Sequence, residues 1–119
     1  MSFREELVYR LMTPQGWRMS LASNFLLYND DDERDGFFHL SAPHQVLGTA
    51  AKHYAEHDHL FAVGFAPDDL GDRLVWEASR GGEAFPHFYG FARVEAASHL
   101  LSVSRSVDGL YTVEEGAIQ

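Results

Sequence analysis

Apolar and polar positions alternate over residues 6–12, which predicts a strand with Leu7, Tyr9 and Leu11 on one face and Val8 and Met12 on the other. Thr13-Pro14 reads as an N-cap followed by proline at the first helical position, opening a helix to about Leu21 that Gly16 weakens. The short aromatic run 36–40 is strand-like, and Ser41 with Pro43 behind it reads as the next helix start. Val46, Leu47, Ala50, Ala51 and Tyr54 then recur at offsets of one, three and four. They form one apolar helical face, the clearest periodicity in the chain. Residues 60–65 read as a buried strand, 68–72 as a turn, 73–78 as a strand and 79–82 as a glycine loop. Residues 85–90 read as irregular and aromatic, 94–97 as one helical turn and 100–104 as a strand. The Asp108-Gly109 turn leads to an edge strand at 110–113. Strands outnumber helices and both helices come early, so the expected class is α+β with a curved, mainly antiparallel sheet.

The length of 119 residues fits a single domain, 1–119, and the chain has no cysteine for disulfides, thiolate metal sites or a cysteine nucleophile. The longest apolar run, residues 60–67, is far short of the roughly 20 residues that cross a bilayer. Glu5 and Glu6 stand where a signal peptide needs positive charge, so the expected location is cytoplasmic. A net charge of −9 disfavours nucleic acid and anionic membranes as partners, both of which need a basic face. Five acids crowd residues 29–35, an expected exposed loop that lacks the spacing of an EF-hand.

His53 and His57 share a helical face and His59 follows, which allows zinc by spacing; cation-favouring helix-end residues are the simpler account, and no metal is expected. His44 and His99 have no companions and read as surface residues. His39 ends an aromatic strand two residues before Ser41, where helical N–H groups can meet an anion, or where Ser41 is a cap and His39 a satisfied core group. His87 is wedged between Phe85, Phe88 and Tyr89, either an apolar slot for a planar ring or a plug for the core. Glu77 follows Trp76, where lost solvation makes a carboxyl more basic, unless it pairs with Arg80 at the surface. No nucleophile elbow, P-loop or Gly-x-Gly-x-x-Gly fingerprint is present.

Taken in order, Leu7-Val8-Tyr9, Gly36-Phe37-Phe38-His39-Leu40-Ser41, Val46-Leu47, Trp76-Glu77 and the block from Gly82 to Gly90 resemble the domain of unknown function 952 family. The resemblance covers about residues 6–103 and leaves the tail 104–119 and the acidic run outside. It implies a compact fold similar to ADP-ribosyltransferases and RNA 2′-phosphotransferases, which cradle NAD-like nucleotides in the cleft of a split sheet. On that likeness His39, Glu77 and His87 are the candidate catalytic residues, and Arg10, Ser41, Trp76, Phe85 and Tyr89 the candidate ligand-binding ones. Arg10 departs from the family's usual histidine; arginine there suits a phosphate or ribose, or marks a lost reaction. Transfer from NAD needs a carboxylate beside the developing ribosyl cation, with Glu77 first and Glu83 second. The expected function is an NAD-like or ADP-ribose-like nucleotide cleft with a transferase acting on the ribose. The alternatives are a module that senses a small metabolite or nucleotide without turnover, and an acidic protein-interaction domain. RNA phosphotransfer ranks below these, because no basic stripe is present.

Overall fold

A computed structural model describes residues 2–79 and 81–116. Strands β1 (Val8–Met12), β3 (His59–Phe65), β6 (His99–Arg105) and β7 (Tyr111–Glu115) form a four-stranded sheet in the order β1-β3-β6-β7. Strands β2 (Phe38–His39), β5 (Ala84–Phe88) and β4 (Leu74–Ala78) form a three-stranded sheet in the order β2-β5-β4. Every strand pair is antiparallel. A pair of backbone bonds, Tyr9 N–H to Ser41 O and Ser41 N–H to Tyr9 O, each 2.8 Å, joins the sheets.

The side-chain alternation of β1 separates two apolar layers, as its sequence pattern predicts. Val8 and Met12 pack with Trp17, Phe38, Phe65 and Phe88. Leu7, Tyr9 and Leu11 pack with Val46, Ala50, Leu60 and Leu101. Helix α1 (Pro14–Ser23) supplies Trp17 to the first layer and helix α3 (Val46–His53) supplies Val46 and Ala50 to the second. The Thr13 hydroxyl caps α1 by accepting from Gly16 N–H at 3.0 Å. The buried stripe of α3 is narrower than its periodicity suggests, because Ala51 is exposed. Gly64 lies where a Cβ would stand 2.8 Å from Tyr9 Cε2, so only glycine lets β3 pass the Tyr9 ring.

Four elements depart from the sequence expectations. The acidic run is not a loop but a helix, α2 (Asp30–Asp35), so the helices are not confined to two early ones. Asn29 Oδ1 accepts from Asp32 N–H and Asp32 Oδ2 accepts from Asn29 N–H, a reciprocal cap, while Gly36 at φ 83° turns the chain out. Acids in the first turn also favour the positive end of the helix. A second short helix, α4 (Pro67–Leu70), occupies part of the expected turn. The aromatic block is strand β5, the centre of its sheet. Pro86 is tolerated there because β2 pairs only through Phe38 and His39; beyond it, Leu40 N–H donates to Pro86 O at 3.1 Å. Ser41 is not a helix cap: the chain enters the 3₁₀ turn Pro43–Gln45 one residue later, and Gln45 Oε1 takes the Ala42 N–H at 2.8 Å. The tail adds β7 as the edge of the larger sheet.

Candidate functional site

Beyond the Tyr9–Ser41 joint β1 and β2 stop pairing, and Arg10 Nη1 reaches His39 O at 2.9 Å instead. A cavity of about 760 Å³ opens at this split. Its walls include Arg10, His39, Ser41, Thr49, Tyr54, Phe85 and His87, with Arg34, Asp35, Lys52, His53 and Glu83 toward the rim.

His39 and His87 are register partners on β2 and β5, so their side chains leave the sheet on one face. Their ring centroids lie 5.6 Å apart. Each has a carboxylate on Nδ1. His39 Nδ1 meets Asp32 Oδ1 at 2.7 Å, and His39 Nε2 meets Asp35 Oδ2 at 2.9 Å. Carboxylate oxygens only accept, so both bonds exist together only when both ring nitrogens carry protons. Asp32 is fully buried and also accepts from Asn29 N–H, His39 N–H and both terminal nitrogens of Arg10, at 3.0 and 2.5 Å. Burial pushes its carboxyl upward, but the bonds from His39 and Arg10 and the Arg10 charge outweigh that and lower it to about 2.

Arg10 is therefore committed to the protein. Besides Asp32 it holds His39 O and Leu27 O, it lies 4.2 Å over the Phe38 ring, and its Nε is buried without a hydrogen-bond partner among the described residues. What the guanidinium does here is neutralise a buried carboxylate that orients His39.

His87 is held differently. Glu77 Oε1 accepts from His87 Nδ1 at 2.7 Å and from the Tyr89 hydroxyl at 2.8 Å. The ring stacks on Phe37, with centroids 4.0 Å apart and planes 23° apart. With Nδ1–H donated, Nε2 is the acceptor, and it has no protein partner among the described residues. The His87 bond, then the Tyr89 bond, hold the Glu77 carboxyl below the usual glutamate range. The expectation that Trp76 would make Glu77 more basic is thus reversed. Neighbours on a strand point to opposite faces, so Trp76, half-exposed on the other face of β4, does not desolvate Glu77. The alternative pairing with Arg80 lies outside the described residues.

Of the candidate residues, the cavity gathers Arg10, His39, Ser41, Phe85 and His87. Glu77 and Tyr89 stand behind His87, and Trp76 is outside. The Ser41 hydroxyl pairs with Thr49 Oγ1 at 3.0 Å on the cavity wall. Glu83 lines the rim, where its carboxylate is bonded to Gln45 Nε2 at 2.9 Å and to His44 at 3.3 Å. Sequence reasoning missed Asp32 and Asp35, although Asn29-x-x-Asp32 before Gly36 is a legible capping pattern. His99, expected at the surface, is buried: its Nδ1 lies 2.6 Å from the Tyr9 hydroxyl and its Nε2 2.9 Å from Glu115. Among the described residues no group of three or more potential ligands gathers for a metal.

The family described as a protein of unknown function, DUF952, matches residues 11–100. The chain belongs to this DUF952 family. Solved structures agree. The crystal structure of protein CC0527 from Caulobacter crescentus is 33% identical, with a TM-score of 0.81 over 89% of this chain and 93% of that one. The solution structure of the same protein is 34% identical, with a TM-score of 0.77 over 87% and 90%. A comparison with curated proteins finds no match. The DUF952 match thus runs from the end of β1 to the start of β6 and includes both histidines, while Arg10 and β7 lie outside it.

Proposed function

We propose that the split between the sheets binds an NAD-like or ADP-ribose-like nucleotide, with His39 and His87 as its central polar contacts. One observation carries the reading: two carboxylate-backed histidines, 5.6 Å apart, share a cavity of about 760 Å³ with Ser41 and Phe85. That volume is within the range of cavities that enclose whole small molecules, and convergent polar groups are part of their usual signature. His87 Nε2 accepts a ligand hydroxyl, Ser41 and Thr49 offer hydroxyls to ribose oxygens, and Phe85 gives a ring face for a base. If the ribose is transferred, His87 is the group able to take a proton, because Glu77 fixes its tautomer.

A second reading, binding without turnover, has its own support. Neither carboxylate considered for the ribosyl cation is free: Glu77 is bonded to His87 and Tyr89, and Glu83 to Gln45.

Thermal denaturation with NAD, ADP-ribose, nicotinamide and a 2′-phosphorylated nucleotide tests both. A ligand at a hundred times its Kd stabilises by about 2.7 kcal/mol, several degrees for a domain of this size. The expected result is a shift with ADP-ribose or NAD that is lost in His87→Ala and in His39→Ala. No shift with any of the four overturns the reading. Nicotinamide release from NAD separates the transferase from the binding module.

A further inference from the structure

The two carboxylates on His39 are not equivalent. Asp32 on Nδ1 is fully buried, whereas Asp35 on Nε2 is partly exposed in the cavity wall. The Asp35 carboxylate accepts from His39 Nε2 at 2.9 Å, from Arg34 Nε at 2.9 Å and from Arg34 Nη2 at 3.2 Å. Neighbouring side chains on a helix do not ordinarily face each other. Arg34 and Asp35 meet because Asp35 is the last residue of α2 and Gly36 turns the chain there. A carboxylate at that end also opposes the helix dipole, so the helix itself gives Asp35 no reason to lie where it does. Arg34 is held from the other side, its Nη1 donating to Asp31 at 2.9 Å. Without Asp35, an arginine fork and an imidazole N–H converge on one point in the cavity, an arrangement matched to a phosphate or carboxylate.

We propose that His39 Nε2 and Arg34 form an anion subsite, filled in the free protein by the Asp35 carboxylate, which a phosphate group of the ligand displaces. The proposal takes the nucleotide reading of the cavity for the identity of the phosphate's carrier. Solvent-exposed ion pairs add little net stability, so Asp35 can leave without unfolding α2, and the buried Asp32 keeps His39 oriented when it does. Because Asp35 is tethered beside the site, it competes at high effective concentration and keeps simple anions weak.

The test follows the His39 ring nitrogens by NMR while inorganic phosphate is added to wild type, Asp35→Asn, Asp30→Asn and the double variant Asp35→Asn/Arg34→Ala. Asp30 lies on the same helix and outside the cavity, so its variant removes the same charge without opening the subsite. Expected is a half-saturation about tenfold lower in Asp35→Asn, little change in Asp30→Asn and a return to weak binding in the double variant, since a charge-assisted fork is gained and then lost. Equal effects of Asp30→Asn and Asp35→Asn, or no response at the His39 ring, overturn the subsite. A parallel titration with ADP-ribose and adenosine judges the carrier separately. Tighter ADP-ribose binding in Asp35→Asn supports both readings. ADP-ribose no tighter than adenosine, with phosphate still reaching His39, overturns the nucleotide reading alone.

Discussion

His39 and His87 sit side by side, each with a carboxylate on Nδ1, yet their settings differ. The Asp32 side is dry: a fully buried acid accepts five hydrogen bonds, two of them from a buried arginine. The Glu77 side is wet: a part-exposed acid accepts two bonds, from a histidine on the neighbouring strand and a tyrosine just beyond its end. A buried carboxylate with that many partners fixes structure as well as a ring, whereas an exposed one only sets a tautomer. The two histidines are thereby fitted for different work, one as a held donor and the other as an open acceptor.

Removing Asp32 should break this contrast most severely. Asp32→Ala leaves Arg10 as an uncompensated buried charge, which costs about 3–5 kcal/mol. Urea unfolding checks it, and a loss no larger than that of Glu77→Gln would abolish the distinction. Replacing both members with apolar residues, Arg10→Met with Asp32→Leu, should recover much of the loss, because a buried ion pair adds little over a well-packed apolar pair.

Acid should expose a smaller effect of the same kind. The Asp32 carboxyl falls from an ordinary value of 3.8 to about 2, so the folded chain holds fewer protons than the unfolded one between these values. Its contribution is complete above about pH 4 and disappears as the pH falls through about 2, a loss on the order of 2 kcal/mol. Urea midpoints from pH 5 to pH 2 should show this step in wild type and lack it in Asp32→Asn.

Glu77→Gln should give the smallest change in stability, within the scatter of surface substitutions. Its effect belongs to the His87 ring, whose two neutral tautomers should become mixed in ¹⁵N spectra. An unchanged Nδ1–H tautomer would show that Phe37 packing, not Glu77, sets the ring.

The fold and the site were legible in the sequence to different depths. The β1 alternation and the Thr13 cap announce themselves, because period and capping chemistry are local. Strand β5 did not, since Pro86 argues against a central strand until the shortness of β2 is known. The meeting of His39 with His87 was expected from the family resemblance, while its geometry depends on cross-strand register, which sequence spacing does not reveal. Asp32 was hidden by its company: four other acids around it read as solvent-exposed, and only the cap shows one of them turned inward. His99 failed for a related reason, because its partners Tyr9 and Glu115 are 90 and 16 residues away.

The joint at Tyr9 and Ser41 has a consequence for how the protein opens. Two backbone bonds tie the sheets at residues whose side chains are both buried; Ser41 lines the cavity, and Tyr9 precedes Arg10, which lines it too. Neither sheet can separate without breaking this pair and uncovering the layer that holds Phe38 and Phe88. The amide hydrogens of Tyr9 and Ser41 should therefore exchange with solvent only through global unfolding, as slowly as those in the middle of β3. The floor of the cavity is then the last part of the molecule to fluctuate, and its rim, on α2 and the end of α3, the first.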